Sequence, residues 1–149
     1  MTTITLETSI ENNIEAVFER SLDIDFHQKS ASKTQETVIA GITSGQIGLN
    51  ETVTWRGKHF GIFLTHTSLI SALEKPHTFT DEMIEGHFKS FKHNHTFTTS
   101  QGVTIAKDEL TYVVPYGIFG QLFNVLFLKR HLTKFLLIRN LAIKNSLER

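Results

Sequence analysis

The chain has 149 residues, 40% hydrophobic and 20% charged, with fifteen basic side chains against fifteen acidic ones. That length suits one domain that buries about 68–70% of its unfolded surface, and residues 1–149 are read as that single domain. The even charge gives no global field for nucleic acid, and the absence of cysteine excludes disulfides, thiol nucleophiles and thiolate metal sites and suits the cytoplasm.

The first residues, Met1-Thr-Thr-Ile-Thr-Leu-Glu, lack the basic start and apolar run of a signal peptide. Thr2 to Ile10 alternates, with Ile4 and Leu6 on one face, which predicts a half-buried strand. Asn12 with Glu15 three residues on makes a capping-box pattern, and Ile14, Val17 and Phe18 form the buried stripe of a helix ending near Arg20. A second short helix, about Leu22 to Gln28, carries Leu22 and Phe26 inward. Thr34 to Ile39 alternates again, and Gly41, Gly45 and Gly48 mark a loop before a strand from Glu51 to Lys58. Gly57 and Gly61 bracket a turn or bulge, and Ile62 to Leu73 is a long strand stopped by Pro76. His77 to Glu85 and Phe88 to Thr98 follow, separated by Gly86. After Ser100-Gln101-Gly102 the last strand runs from Val103 to Val114.

Pro115 and Gly117 then release the chain into one long helix, Gly117 to Leu147. Its apolar residues, among them Leu122, Phe123, Leu126, Phe127, Leu132, Phe135, Leu136 and Ile143, recur at spacings of three, four and seven. Roughly 45 Å long at 1.5 Å per residue, this helix is expected to be covered along its length. The apolar stretch Ile118 to Leu128 is too short to span a bilayer, so no stable membrane insertion is expected. Strands in series joined by short turns imply an antiparallel meander, with the helix on its concave face. The expected class is α+β: a curved antiparallel sheet of about six to seven strands wrapped around a long C-terminal helix, with a two-helix insert after the first strand.

Several strings carry a family resemblance: Val53-Thr54-Trp55-Arg56 with His59-Phe60-Gly61, Phe79 with Asp81-Glu82, Gly86-His87-Phe88, His93-Asn94-His95, and Tyr112-Val113-Val114-Pro115-Tyr116-Gly117. With the element order, the chain resembles the helix-grip superfamily of START lipid-transfer domains, polyketide cyclases and pathogenesis-related allergens (SRPBCC), and most of all its small bacterial ligand-binding members. His87 stands where that family's pattern has proline. The resemblance implies an internal cavity between sheet and helix but no particular reaction, because the fold serves binders, carriers and cyclases alike. Twelve phenylalanines fit a pocket wall, and equally a dense core.

Phe91, His93, His95 and Phe97 fall on one face of a strand, which places the two imidazoles roughly 6.6 Å apart along it. They fit a hydrogen-bonded pair in a cavity wall, a ligand-binding or proton-transfer pair, or two ligands of a metal that would need a third from His59 or Asp108. Asp108, Leu110 and Tyr112 share a parity on the last strand, so a buried Asp108 needs a partner. A histidine would make a general base of the pair, and a Lys or Arg would make it scaffold. Val53, Trp55 and His59 share the inner face of the third strand, with Arg56 outside or paired with Glu82. Asp81 and Glu82, being adjacent, point to opposite faces and are no paired acid and base. Lys129, Arg130, Lys134, Arg139 and Lys144 could touch anionic lipid and read first as the solvated face of the long helix. No nucleophile elbow, His-Glu-x-x-His or phosphate loop occurs.

These features predict a module binding a small, largely hydrophobic molecule of lipid, polyketide or aromatic type. The expected site comprises Trp55, His59, Phe91, His93, His95, Phe97, Asp108, Leu110, Tyr112, Phe119, Phe123 and Phe127. No cofactor or metal is expected, and the chain is read as a monomer or homodimer. The alternative is a cyclase- or dehydratase-type enzyme with His93, His95 and Asp108 as acid and base.

Overall fold

The alternation of Thr2–Ile10 becomes strand β1 over those residues in the computed structural model, which describes Met1–Glu148, the side chain of Ser32 set aside. Two short helices follow. Helix α1, Ile14–Ser21, is capped by Asn13, whose Oδ1 accepts from the Ala16 amide at 2.8 Å. Asn12, the expected cap, instead donates to the Leu147 carbonyl at the far end of the chain, 2.7 Å. Helix α2, Ile24–Ser30, starts at Asp23, which accepts from the Phe26 amide at 3.0 Å. It begins two residues later than the apolar pattern suggests because the aspartate satisfies the first free amides.

A tight turn at Ser32–Thr34 occupies the start of the expected second strand, and β2 runs over Thr37–Gly41. Five strands then meander: β3 Thr52–His59, β4 Ile62–Glu74, β5 Thr78–Glu85, β6 Ser90–Ser100 and β7 Val103–Val113. Among the described residues the seven strands form one antiparallel sheet in the order β1-β7-β6-β5-β4-β3-β2. Register shifts in β2 and at two places between β4 and β5 are bulges, which bend a sheet. Phe60 and Gly61 at one hairpin, and Gln101 and Gly102 at another, both have positive φ, the geometry two-residue hairpins favour.

The C-terminal helix is not uniform. Helix α3, Gly117–Phe123, passes through a π turn at Asn124–Leu128 into α4, Lys129–Leu147. Leu136, Asn140 and Ile143 of α4 are buried against the sheet, a four-then-three spacing that keeps them on one face. Gly120 and Asn124 are the buried residues of the first part; a Cβ at Gly120 would collide with the Pro115 carbonyl. The expectation that the whole helix is covered is therefore corrected. Ile118, Phe119 and Val125 are 79%, 79% and 75% exposed. The stretch is apolar over more than half its circumference, and a helix can press only one side onto a sheet.

The core is split. Ile10, Val17, Phe18, Leu22, Ile70, Phe79 and Phe97 pack where α1 and α2 close one end of the sheet. Ile4, Leu110, Tyr112, Val114 and Leu136 form a second cluster at the other end. Polar side chains lie between them.

Candidate functional site

Cross-strand pairing brings these polar side chains together. His93 of β6 faces Asp81 of β5 and Leu110 of β7, and His95 faces Phe79 and Asp108. His93 Nε2 donates to Asp108 Oδ1 at 2.7 Å, and His95 Nε2 to Asp81 Oδ2 at 2.7 Å. His95 Nδ1 lies 3.3 Å from Asp108 Oδ1. From α4, Arg139 Nη2 donates to Asp108 Oδ1 at 2.9 Å and Asn140 Nδ2 to Oδ2 at 2.6 Å. The imidazoles lean together to a centroid separation of 3.7 Å, and Phe79 stacks on the outer side of His95 at 4.0 Å.

Environment divides the two histidines. Burial lowers His93 to about 4, assisted by the charge of His95 and opposed by the Asp108 hydrogen bond. Burial also pulls His95 down, but its hydrogen bonds to Asp108 and Asp81 outweigh it and raise the pKa. A carboxylate lies at each ring nitrogen, Asp81 at Nε2 and Asp108 at Nδ1, and both favour the protonated form of His95. Burial opposes ionisation of Asp81 and Asp108. The His95 bond nevertheless brings Asp81 to about 2, and the bonds from His93 and His95 with the Arg139 charge hold Asp108 far below the usual carboxylate range. Two carboxylates thus face Arg139 and a histidine whose protonated form they favour, while burial disfavours charge on His93.

Asp81, His93 and His95 each offer an atom within 4.8 Å of the others, a spacing a metal ion can use. Those atoms are already engaged with one another or with Asp108, and Arg139, whose Nε is buried without a partner, adds a fixed positive charge beside them that disfavours a metal cation. The free space next to it, lined by His95, Asp108, Arg139, Asn140, Ser21 and Ile143 among others, measures about 10 Å³, at most the room for one water molecule.

Two further polar chains tie the C-terminal helix to the sheet. Glu36, buried beneath Gly57, accepts from His59 Nε2 at 2.8 Å, and His59 Nδ1 pairs with His131 Nε2 of α4 at 2.8 Å. Since the carboxylate fixes the His59 proton on Nε2, Nδ1 accepts and His131 donates. At the other edge Tyr112 Oη donates to Asn124 Oδ1 at 2.6 Å, and Asn124 Nδ2 donates to Thr2 Oγ1 at 2.9 Å. Burial raises Tyr112 to about 12, so its proton stays in place.

The structure brings His93, His95, Asp108, Phe91, Phe97, Leu110 and Tyr112 to the concave face together, with Trp55 and His59 on the same face of β3. His59 joins Glu36 and His131 rather than the other histidines, so it is no third ligand for them. Phe119, Phe123 and Phe127 are 79%, 41% and 54% exposed. Arg139 is corrected, since it reaches inward to Asp108 instead of standing on the solvated face. Arg56 lies over the Phe63 ring at 4.0 Å, outside, rather than against Glu82. Sequence reading missed Asp81, Asn140, Glu36, His131 and Asn124. Asp81 was within reach, because it shares its strand parity with Phe79. Asn140 and Asn124 sit at helical spacing among apolar residues, where polarity hid their inward aim.

No family model matches the chain, and no curated protein does. Solved structures do. The protein TTHA0849 from Thermus thermophilus superposes with a TM-score of 0.76 at 17% identity over 97% of this chain and 99% of that one. A START superfamily protein from Mycobacterium smegmatis gives 0.74 at 11% identity over 98% and 97%, and major latex-like protein 151 from Panax ginseng 0.67 at 16% over 99% and 98%. The chain shares the curved-sheet, long-helix architecture of these structures, the helix-grip fold. At such identities the likeness is one of fold.

Proposed function

We propose that the protein binds a small, largely hydrophobic molecule between the concave face of the sheet and the C-terminal helix. One observation carries this reading: burial changes along a single strand. His93, His95 and Phe97 of β6 are buried, Phe97 against Phe18 of α1 and the histidines around the Asp108 that α4 also binds, while Phe91 on the same face is only half-buried. Around it stand His66 at 4.8 Å and Phe88 at 4.9 Å between ring centroids, with Trp55 paired across strands to His66. Aromatic walls with a few placed polar groups are what apolar ligands select. Tyr112 and the buried histidine group would give the polar end, and movement of α3 would give entry.

The test is native mass spectrometry of freshly purified protein with extraction of any bound molecule, followed by thermal shift against lipids, polyketides and aromatic acids. A stoichiometric guest, or a melting point that climbs with ligand as mass action requires, supports the proposal. An empty protein unmoved by the whole panel overturns it.

A second reading, a cyclase- or dehydratase-type enzyme, is favoured by the stacked imidazoles whose pKa values are pushed apart, a pairing suited to an acid and a base side by side. It predicts that Asp81→Asn abolishes turnover of a polyketide-type substrate while leaving its binding intact. The cysteine-free chain fits a reducing cytoplasm.

A further inference from the structure

We propose that α3 and the π turn, together with the tip of the β3–β4 hairpin, form a surface that docks reversibly on an anionic lipid bilayer. Ile118, Phe119, Leu122, Val125, Leu126 and Phe127 are each more than half exposed. The hairpin tip extends the patch: Phe60 and Ile62 are 48% and 60% exposed, and the Phe60 ring lies 5.0 Å from that of Phe123. Taken together, these exposures come to on the order of 1,000 Å² of mostly apolar surface, beyond the 300–600 Å² typical of the largest patch on a monomer.

Two features select a bilayer over a second copy of the chain. The first is shape. At about 100° per residue the exposed apolar side chains cover roughly 200° of the helix. A two-fold contact between copies covers one side of a helix and would leave the remainder wet, whereas immersion at the lipid interface takes up the whole arc. Tyr116, 79% exposed at the start of the helix, is a residue that membrane interfaces favour.

The second is charge. The exposed side of the helix turns from apolar to basic at once, at Lys129 and Arg130, with Lys134 one turn on, all exposed. Lys58 stands exposed on the hairpin. From Leu110 to Leu147, and from Thr52 to Leu73, the sequence holds no Asp or Glu. An apolar tip with a collar of cations matches acyl chains beneath phosphate groups. Among the described residues no helix is long and apolar enough to cross a membrane, so the association is one of lying on the surface. It does not depend on the ligand proposed above.

The experiment is flotation with vesicles of phosphatidylcholine alone and of phosphatidylcholine with about one third phosphatidylglycerol, at low and high salt. The wild-type chain is expected to float with the anionic vesicles only and to be released by salt. Each cation near such a surface is worth about a fivefold factor, so the double variant Lys129→Glu, Arg130→Glu is expected to weaken binding at least tenfold. Phe119→Asp with Val125→Asp, at exposed positions that leave the fold intact by circular dichroism, is expected to abolish it. Equal binding to both compositions, or to neither, overturns the proposal. So does a wild-type dimer that ignores vesicles and that the Phe119→Asp, Val125→Asp pair converts to a monomer, because the surface then belongs to a second copy.

Discussion

The imidazoles of His93 and His95 stack face to face at 3.7 Å, yet their surroundings push their pKa values in opposite directions. His93 has one carboxylate and His95 has two, and that difference decides the outcome.

Titration by NMR is expected to separate them. His95 should hold its proton above pH 6.5, and His93 should not gain one until about pH 4. His27, whose Nε2 meets the Ser21 carbonyl at 2.6 Å, is likewise pushed to about 4 by burial. For His93 and His27 the unfolded chain binds protons first as pH falls through 6.5, so folding loses stability between 6.5 and about 4. A displacement of that size corresponds to roughly 3 kcal/mol per group in the limit. His95 acts with the opposite sign: its contribution is complete below 6.5 and fades as pH rises through its folded value. Urea midpoints that do not fall from pH 6.5 to 4 would contradict the assignment of His93 and His27.

Asp108→Asn should be the most damaging single substitution at the centre of the fold. It leaves Arg139 and His95 short of a countercharge, a situation that costs about 3–5 kcal/mol. Urea unfolding measures the loss, and the His95 pKa should fall in the same variant. Asp108→Asn with an unchanged midpoint would show that the carboxylate is not the hub.

The inward residues of the strands were legible because period-two alternation forces them into sets: once Phe97 and Leu110 are inside, His93, His95 and Asp108 follow. The helix gave less away. Apolar spacing states which side chains avoid water but not whether anything lies opposite them, so the exposure of Phe119, Phe123 and Phe127 was not legible. Pairings such as Glu36 with His59 and His59 with His131, 23 and 72 positions apart, follow from tertiary closure and leave no local signature.

Asn124→Leu should cost about 1–3 kcal/mol by stranding the buried Tyr112 hydroxyl. Adding Tyr112→Phe should restore a good part of that, and a double-mutant cycle reads the coupling. Amide exchange across 117–128 should quicken in the single variant, since Asn124 is the polar tether of that segment.

Gly57→Ala tests the other tether. The added methyl falls on the Glu36 carboxylate, so Glu36 has to move and His59 loses its acceptor. A loss of about 1–3 kcal/mol is expected, although alanine is ordinarily the better strand residue. In a Glu36→Ala background the same change should be nearly neutral; an equal cost in both backgrounds would place the strain elsewhere.

The chain's single tryptophan, Trp55, sits half-buried on the concave face, opposite His66. Its indole is therefore a built-in fluorophore in the aromatic wall of the proposed ligand site, close to an imidazole that can quench it when protonated. Emission colour and lifetime would report whether the helix lifts, a guest arrives or His66 gains a proton, with no label attached. Because the chain also lacks cysteine, one introduced thiol on α3 could carry an acceptor dye and turn the same indole into a ruler.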